Sequence, residues 1–229
     1  MTTHLLVDFG EVISEPQPVA AVRGMAAVVG MPTATFRERY WASRERYDRG
    51  LPAQEYWEDV AGRGVRGGEL LTLRRLDIES WTHLNFATIT ALRIAHRRGA
   101  QLTLLSNAPS DLADEVRGSA VLGELFSLMV FSAELRLAKP DGEIFDTALA
   151  LAEVEPGATL FIDDRAENLE SARGRGIRTH EFRTATALHD ELTAIDLGTP
   201  LRGFRTTSPG SRLGAKHPFH RVDRPRRRG

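Results

Sequence analysis

A small set of side chains in this sequence could share one reaction: Asp8, the pair Ser106-Asn107, Lys139 ahead of Pro140, and the pair Asp163-Asp164. Asp8 closes the apolar run Leu5-Leu6-Val7, and an aspartate at the end of such a run can serve as a nucleophile or a metal ligand. Two adjacent acids after Leu160-Phe161-Ile162 can join it in holding a hard cation such as Mg²⁺, which prefers oxygen ligands and keeps several waters. A hydroxyl, a backbone N–H and a lysine ammonium around the same point make a phosphate cradle. Each part also has a plainer reading. Asp8 could cap a turn, Ser106-Asn107 could start a helix, Lys139-Pro140 could be a solvated loop, and Asp163-Asp164 could sit on a helix dipole. Like charges side by side at a buried strand end are costly unless a cation offsets them, which makes the acidic pair the hardest part to dismiss.

The elements that would position these groups are legible in the hydrophobic pattern. Residues 5–7 read as a buried strand of a parallel sheet, and Gln101–Leu105, Ser127–Phe131, Thr159–Ile162 and Arg178–Phe182 read as further strands. Helices are expected at Thr88–Arg98, closed by Gly99, and at about 110–118, 142–153, 165–175 and 185–195, with Ile144, Ala148 and Leu151 facing inward on the 142–153 helix. Repeated βα units imply an α/β fold, a Rossmann-like three-layer core around a parallel sheet, whose strand ends converge on one crevice. Between the first strand and residue 86 the pattern is helical throughout. Val22, Met25, Ala26 and Val29 share a face, Phe36, Tyr40 and Tyr47 mark a helix over 33–48, and Ala53, Tyr56, Trp57, Val60 and Ala61 form a complete amphipathic stripe. A last helix over 68–84 brings Leu70, Leu73 and Trp81, and these aromatic stripes read as the packing of an inserted helical domain. The expected organisation is therefore a core of residues 1–14 and 86–197, a helical insert over 15–85, and a tail over 198–229.

Composition bounds the chemistry. With 229 residues, 41% apolar and 27% charged, the chain can bury a substantial core, and the absence of cysteine excludes disulfides and thiolate chemistry. No run approaches the roughly 20 apolar residues that span a bilayer and no basic-then-apolar segment opens the chain, so a cytoplasmic protein without a membrane partner is expected. The net charge of -1 hides an asymmetry: residues 198–229 carry nine Lys/Arg against Asp223 alone, leaving -9 on the rest. A tail rich in Gly, Pro, Ser and Arg without apolar periodicity predicts disorder. It allows a weak role toward nucleic acid, although no aromatic interleaving supports base stacking.

Taken together, these motifs resemble the haloacid dehalogenase superfamily of hydrolases over roughly residues 3–195. Leu5-Leu6-Val7-Asp8 is similar to its first motif, Leu104-Leu105-Ser106-Asn107 to its second, Lys139-Pro140 to its third, and Phe161-Ile162-Asp163-Asp164 with Asn168 to its fourth; the helical insert resembles its cap domain. The resemblance implies that Asp8 is the nucleophile and forms an aspartyl-phosphate. It also implies Mg²⁺ held by Asp8, the Gly10 carbonyl and Asp164 with support from Asp163, and phosphate bound by Ser106, Asn107, Lys139, Phe9 and Gly10. Asn168 would orient the Asp163-Asp164 loop, and a small phosphorylated substrate and a monomer or homodimer follow.

The sequence departs from the pattern two residues after the nucleophile, where phosphatases of the family usually carry a second aspartate that protonates the leaving group. Here that residue is Gly10, and a positioned acid or base is worth roughly 10² to 10⁴ in rate. Glu11, which stands where family members often have glycine, is either a substitute acid/base or a solvent-facing residue. Without a substitute, esters of acidic leaving groups would be split more readily than alkyl phosphates. Three readings stay open at this point: a Mg²⁺-dependent phosphatase, a catalytically reduced protein that binds a phosphorylated ligand or a partner, and a dehalogenase. The last fits least, since the dehalogenases carry an aromatic residue at the place of Gly10 and a metal-free fourth motif. Arg44, Tyr47, Arg49 and Trp57 are the insert residues expected to select a substrate.

Overall fold

The computed structural model describes residues 4–195; the expected tail over 198–229 lies outside them. Five strands, β1 (His4–Val7), β2 (Gln101–Ser106), β3 (Leu128–Phe131), β4 (Thr159–Asp163) and β5 (Arg178–Glu181), form a sheet of order β3-β2-β1-β4-β5 in which every pairing is parallel. After β1 come helices α1 (Val19–Val29), α2 (Thr33–Ala42), α3 (Arg44–Asp48), α4 (Ala53–Ala61) and α5 (Gly67–Trp81). The βα units then bring α6 (Phe86–Arg97), α7 (Ser110–Gly118), α8 (Ala120–Gly123), α9 (Ser132–Leu135), α10 (Gly142–Ala152), α11 (Ala166–Gly174) and α12 (Ala185–Ala194).

The central strand is apolar on both faces because helices cover both. Leu5 and Val7 pack with Ile89, Leu92, Leu188 and Leu192 on one side, whereas Leu6 packs with Phe145, Ala148, Phe161 and Leu169 on the other. The insert has a separate cluster built on Met25, Phe36, Tyr40, Tyr56, Trp57 and Leu73. The chain enters and leaves the insert side by side. Ser14 bridges Leu84 in antiparallel fashion, with Glu15 N–H donating to the His83 carbonyl at 2.6 Å and Asn85 N–H to the Ile13 carbonyl at 2.8 Å.

Three expectations need correction. The helix expected over 33–48 breaks at Ser43 into α2 and α3. Leu151 does not face inward: it is 54% exposed, and Leu149 takes the buried place beside Ile144 and Ala148. Trp81 packs with Phe9, Val12 and Ile13 of the α/β core instead of the insert's own cluster.

Candidate active site

The strand order reverses at β1, with β2 on one side and β4 on the other, and in open α/β sheets that switch point is where ligands bind. Parallel pairing sets Val7 opposite Ile162, and the Asp8 N–H continues the ladder by donating to the Ile162 carbonyl at 2.9 Å. Asp8 therefore leaves β1 level with Asp163 at the end of β4.

Between these two carboxylates lies the Lys139 ammonium, 2.6 Å from Asp8 Oδ1 and 2.8 Å from Asp163 Oδ2, with all three side chains buried. Burial opposes the lysine's charge, but Asp163 and Asp8 outweigh it and hold the ammonium above its ordinary range. Asp8 Oδ1 also accepts from the Phe9 N–H at 2.7 Å. Asp163 is saturated: its Oδ1 accepts from the Arg165 N–H at 2.8 Å and from Asn168 Nδ2 at 3.0 Å, and the same Nδ2 lies 3.1 Å from Oδ2. Asn107 fixes the lysine's main chain from both sides, its Nδ2 donating to the Lys139 carbonyl at 2.8 Å and its Oδ1 accepting from the Lys139 N–H at 2.9 Å.

One carboxylate oxygen each from Asp8, Asp163 and Asp164 lies within 4.8 Å of the others. Burial pushes the Asp8 carboxyl up to about 7 against the pull of Lys139, and burial followed by Asp163 raises the half-buried Asp164. An all-oxygen cluster that resists its own charge is a chemical match for a hard divalent cation. Since Asp163 is engaged by Lys139, Asn168 and Arg165, Asp8 and Asp164 are the acids with oxygens to offer.

The crevice measures about 130 Å³ and is lined by Asp8, Gly10, Ser106, Asn107, Lys139 and Asp164 from the core. Ser106 is buried at the end of β2. Phe9 sits in the core with its N–H turned to Asp8, and Glu11 is exposed at the crevice rim with a left-handed backbone, φ 56°. The opposite wall comes from the insert. Of the insert residues expected to face the crevice, Arg44 does so, while Trp57 is buried in the insert, Tyr47 reaches Asp111 at 3.4 Å and Arg49 pairs with Asp141. Trp41, Asp48, Trp81, Leu112 and Arg165 line the crevice and were not legible as site residues. The one available signal was the i,i+4 spacing of Arg44 and Asp48, which marks an ion pair without saying which way it faces.

The family model of haloacid dehalogenase-like hydrolases matches residues 6–176. The chain belongs to that family. Curated relatives of this chain include a probable phosphoglycolate phosphatase of Pseudomonas putida, 24% identical over 221 residues, covering 87% of this chain and 84% of that protein. A phosphoserine phosphatase of Thermus thermophilus is 36% identical over 85 residues, and the match spans 37% of this chain and 34% of that enzyme's length. Among solved structures, an enzyme of the family from Bacteroides thetaiotaomicron in complex with magnesium and inorganic phosphate superposes with a TM-score of 0.65 at 20% identity, over 80% of this chain and 95% of the other. An L-2-haloacid dehalogenase of Xanthobacter autotrophicus superposes with a TM-score of 0.63 at 13% identity, over 86% and 85%. These likenesses are to the fold.

Proposed function

We propose that this hydrolase is a Mg²⁺-dependent phosphatase of a small phosphorylated metabolite, working through an aspartyl-phosphate on Asp8. The observation that carries the reading is the buried Lys139 ammonium bridging Asp8 and Asp163 beside Asp164, with the Ser106-Asn107 turn facing the same crevice. That arrangement supplies a nucleophile, a cation site and donors for phosphoryl oxygens at one point. Phosphatases among the curated relatives and magnesium with phosphate in a neighbouring structure support it. A crevice of about 130 Å³ under the helical insert, acting as a cap over residues 15–85, suits a small substrate.

Mg²⁺ would be held by Asp8, the Gly10 carbonyl and Asp164, and when bound it neutralises charge on the transferring group. The residues do the rest. Lys139 lessens the repulsion between the Asp8 carboxylate and a phosphate dianion, and Ser106 Oγ with the Asn107 N–H binds phosphoryl oxygens. Asp8 attacks phosphorus, the ester oxygen leaves, and water then opens the acyl phosphate, so one difficult step becomes two easier ones. Asn107 and Asn168 act at one remove, the first by clamping Lys139 and the second by holding Asp163.

A screen of phosphomonoesters with the native chain and Asp8→Asn, with Mg²⁺ and with a chelator, tests this. Hydrolysis that needs Mg²⁺ and is lost in Asp8→Asn is expected. Hydrolysis unchanged by that substitution would overturn the mechanism, and phosphate binding without turnover would favour a catalytically reduced binding protein.

A further inference from the structure

The crevice holds a carboxylate that the mechanism above leaves unused. Asp48 ends α3 and lines the insert wall of the crevice. Its Oδ1 accepts from Arg44 Nε at 2.8 Å, and the hydrogen bonds of the described residues leave Oδ2 without a partner. Arg44 is itself fixed, since it is buried against Asp77 and the Tyr40 hydroxyl and lies over the Tyr40, Tyr47 and Trp81 rings. The main chain at Asp48 is anchored in the core. Ser132 Oγ donates to the Asp48 carbonyl at 2.5 Å and accepts from the Ala108 N–H at 2.9 Å, next to the Ser106-Asn107 turn. Two residues on, Gly50 approaches Ala133 so closely that a Cβ would stand 3.0 Å from its carbonyl oxygen, and Arg49 pairs with Asp141 beyond Lys139-Pro140. Residues 48–50 are thus wedged between the end of β3 and the Lys139 loop, and the wedge sets the Asp48 carboxylate in the crevice that Asp8 enters from below.

Gly10, two residues after Asp8, has no proton to give, and a Cβ there would meet the Trp81 ring at 3.9 Å. Glu11 is exposed, and its charge bears on Asp164, on the cation side. We infer that Asp48 is the proton donor and acceptor of this hydrolase, delivered by the docked insert. The inference rests on the phosphatase reading. As Asp8 Oδ bonds to phosphorus and the P–O bond to the leaving group breaks, the Asp48 carboxylic acid passes its proton to the departing oxygen, giving an alcohol and an Asp48 carboxylate. In the second half that carboxylate takes a proton from water as the water oxygen bonds to phosphorus, which releases phosphate and the Asp8 carboxylate and restores the acid. Burial pushes the Asp48 carboxyl up to about 6; Arg44 pulls it down, Asp77 raises it and Arg165 from the core lowers it. A group poised near neutrality is suited to both transfers.

The test compares p-nitrophenyl phosphate, whose leaving group needs no proton, with a primary alkyl phosphate, both with Mg²⁺, on the native chain, Asp48→Asn and Glu11→Gln. Asp48→Asn is expected to lower kcat/KM for the alkyl ester by about 100-fold or more while leaving the aryl ester within a few-fold, and the retained aryl rate shows that the variant is folded. A second readout needs no variant. In the native protein the alkyl-to-aryl ratio of kcat/KM falls as pH rises past the Asp48 ionisation, approaching about tenfold per pH unit. An equal loss on both esters with a pH-independent ratio would overturn the inference and leave Asp48 a docking residue, as would an ester-selective loss in Glu11→Gln instead. If the native chain splits neither ester, the phosphatase reading itself fails.

Discussion

Lys139 carries two duties that pull on one atom. Its ammonium is the only partner that lies between the buried carboxylates of Asp8 and Asp163 among the described residues. Removing one member of a buried ion cluster leaves charge uncompensated, at a cost of about 3–5 kcal/mol. Lys139→Met is therefore expected to lose activity and also to lower the urea-unfolding free energy by about that amount; an unchanged midpoint would show that the carboxylates are compensated elsewhere. Glu11 is the opposite case, a residue whose backbone suits another type. Its φ of 56° lies in the left-handed region, which costs a side-chain-bearing residue roughly 1–2 kcal/mol. Glu11→Gly is expected to raise the unfolding free energy by about 1 kcal/mol, read from the same urea titration.

At the scale of elements, the insert is docked on the core by two bidentate ion pairs. Arg49 holds Asp141 at 2.5 and 3.1 Å, and Arg74 of α5 holds Asp111 of α7 at 2.5 and 2.6 Å. Arg49 keeps the Asp141 carboxyl below the usual range. These pairs are partly exposed, so each contributes at most about 1 kcal/mol and weakens with salt. Their function is docking more than global stability. In the double variant Arg49→Ala/Arg74→Ala, hydrogen exchange is expected to speed up in residues 47–50 with little change in the sheet, and the KM for a phosphomonoester is expected to rise several-fold. Exchange unchanged in that turn would mean that Gly50 against Ala133 and the Ser132 hydrogen bond hold the insert alone.

For the molecule as a whole, the two edges of the sheet are set for different tasks. The candidate site sits at the carboxyl ends, while at the amino ends His4 ties three strands together, Nδ1 lying 3.1 Å from Thr159 Oγ1 and Nε2 2.9 Å from Thr103 Oγ1. Burial pulls the His4 imidazole down to about 4. The unfolded chain therefore binds a proton near pH 6.5 that the folded chain refuses until about pH 4, so the His4 contribution is complete above about 6.5 and lost as pH falls through that window. Between these limits stability is expected to fall by up to about 1.4 kcal/mol per pH unit, and His4→Asn should flatten this slope in denaturation curves taken across the window. The strands, the longer helices of the core and the placement of Asp8, Ser106, Asp163 and Asp164 at strand ends could be read from the sequence, because strand periodicity, punctuation and strand-end position are local properties. The break at Ser43, the exposure of Leu151 and the crevice role of Trp41, Asp48 and Trp81 could not. The exposure of Leu151 depends on which face of α10 meets the sheet and the crevice residues on how the insert docks, whereas spacing along the chain fixes only which residues share a face. The sequence alone set the acids, the hydroxyl and the lysine at strand and loop ends and left Gly10 without a proton to give; only the tertiary structure, by wedging residues 48–50 between the end of β3 and the Lys139 loop, decided that a carboxylate from the insert stands in the same crevice.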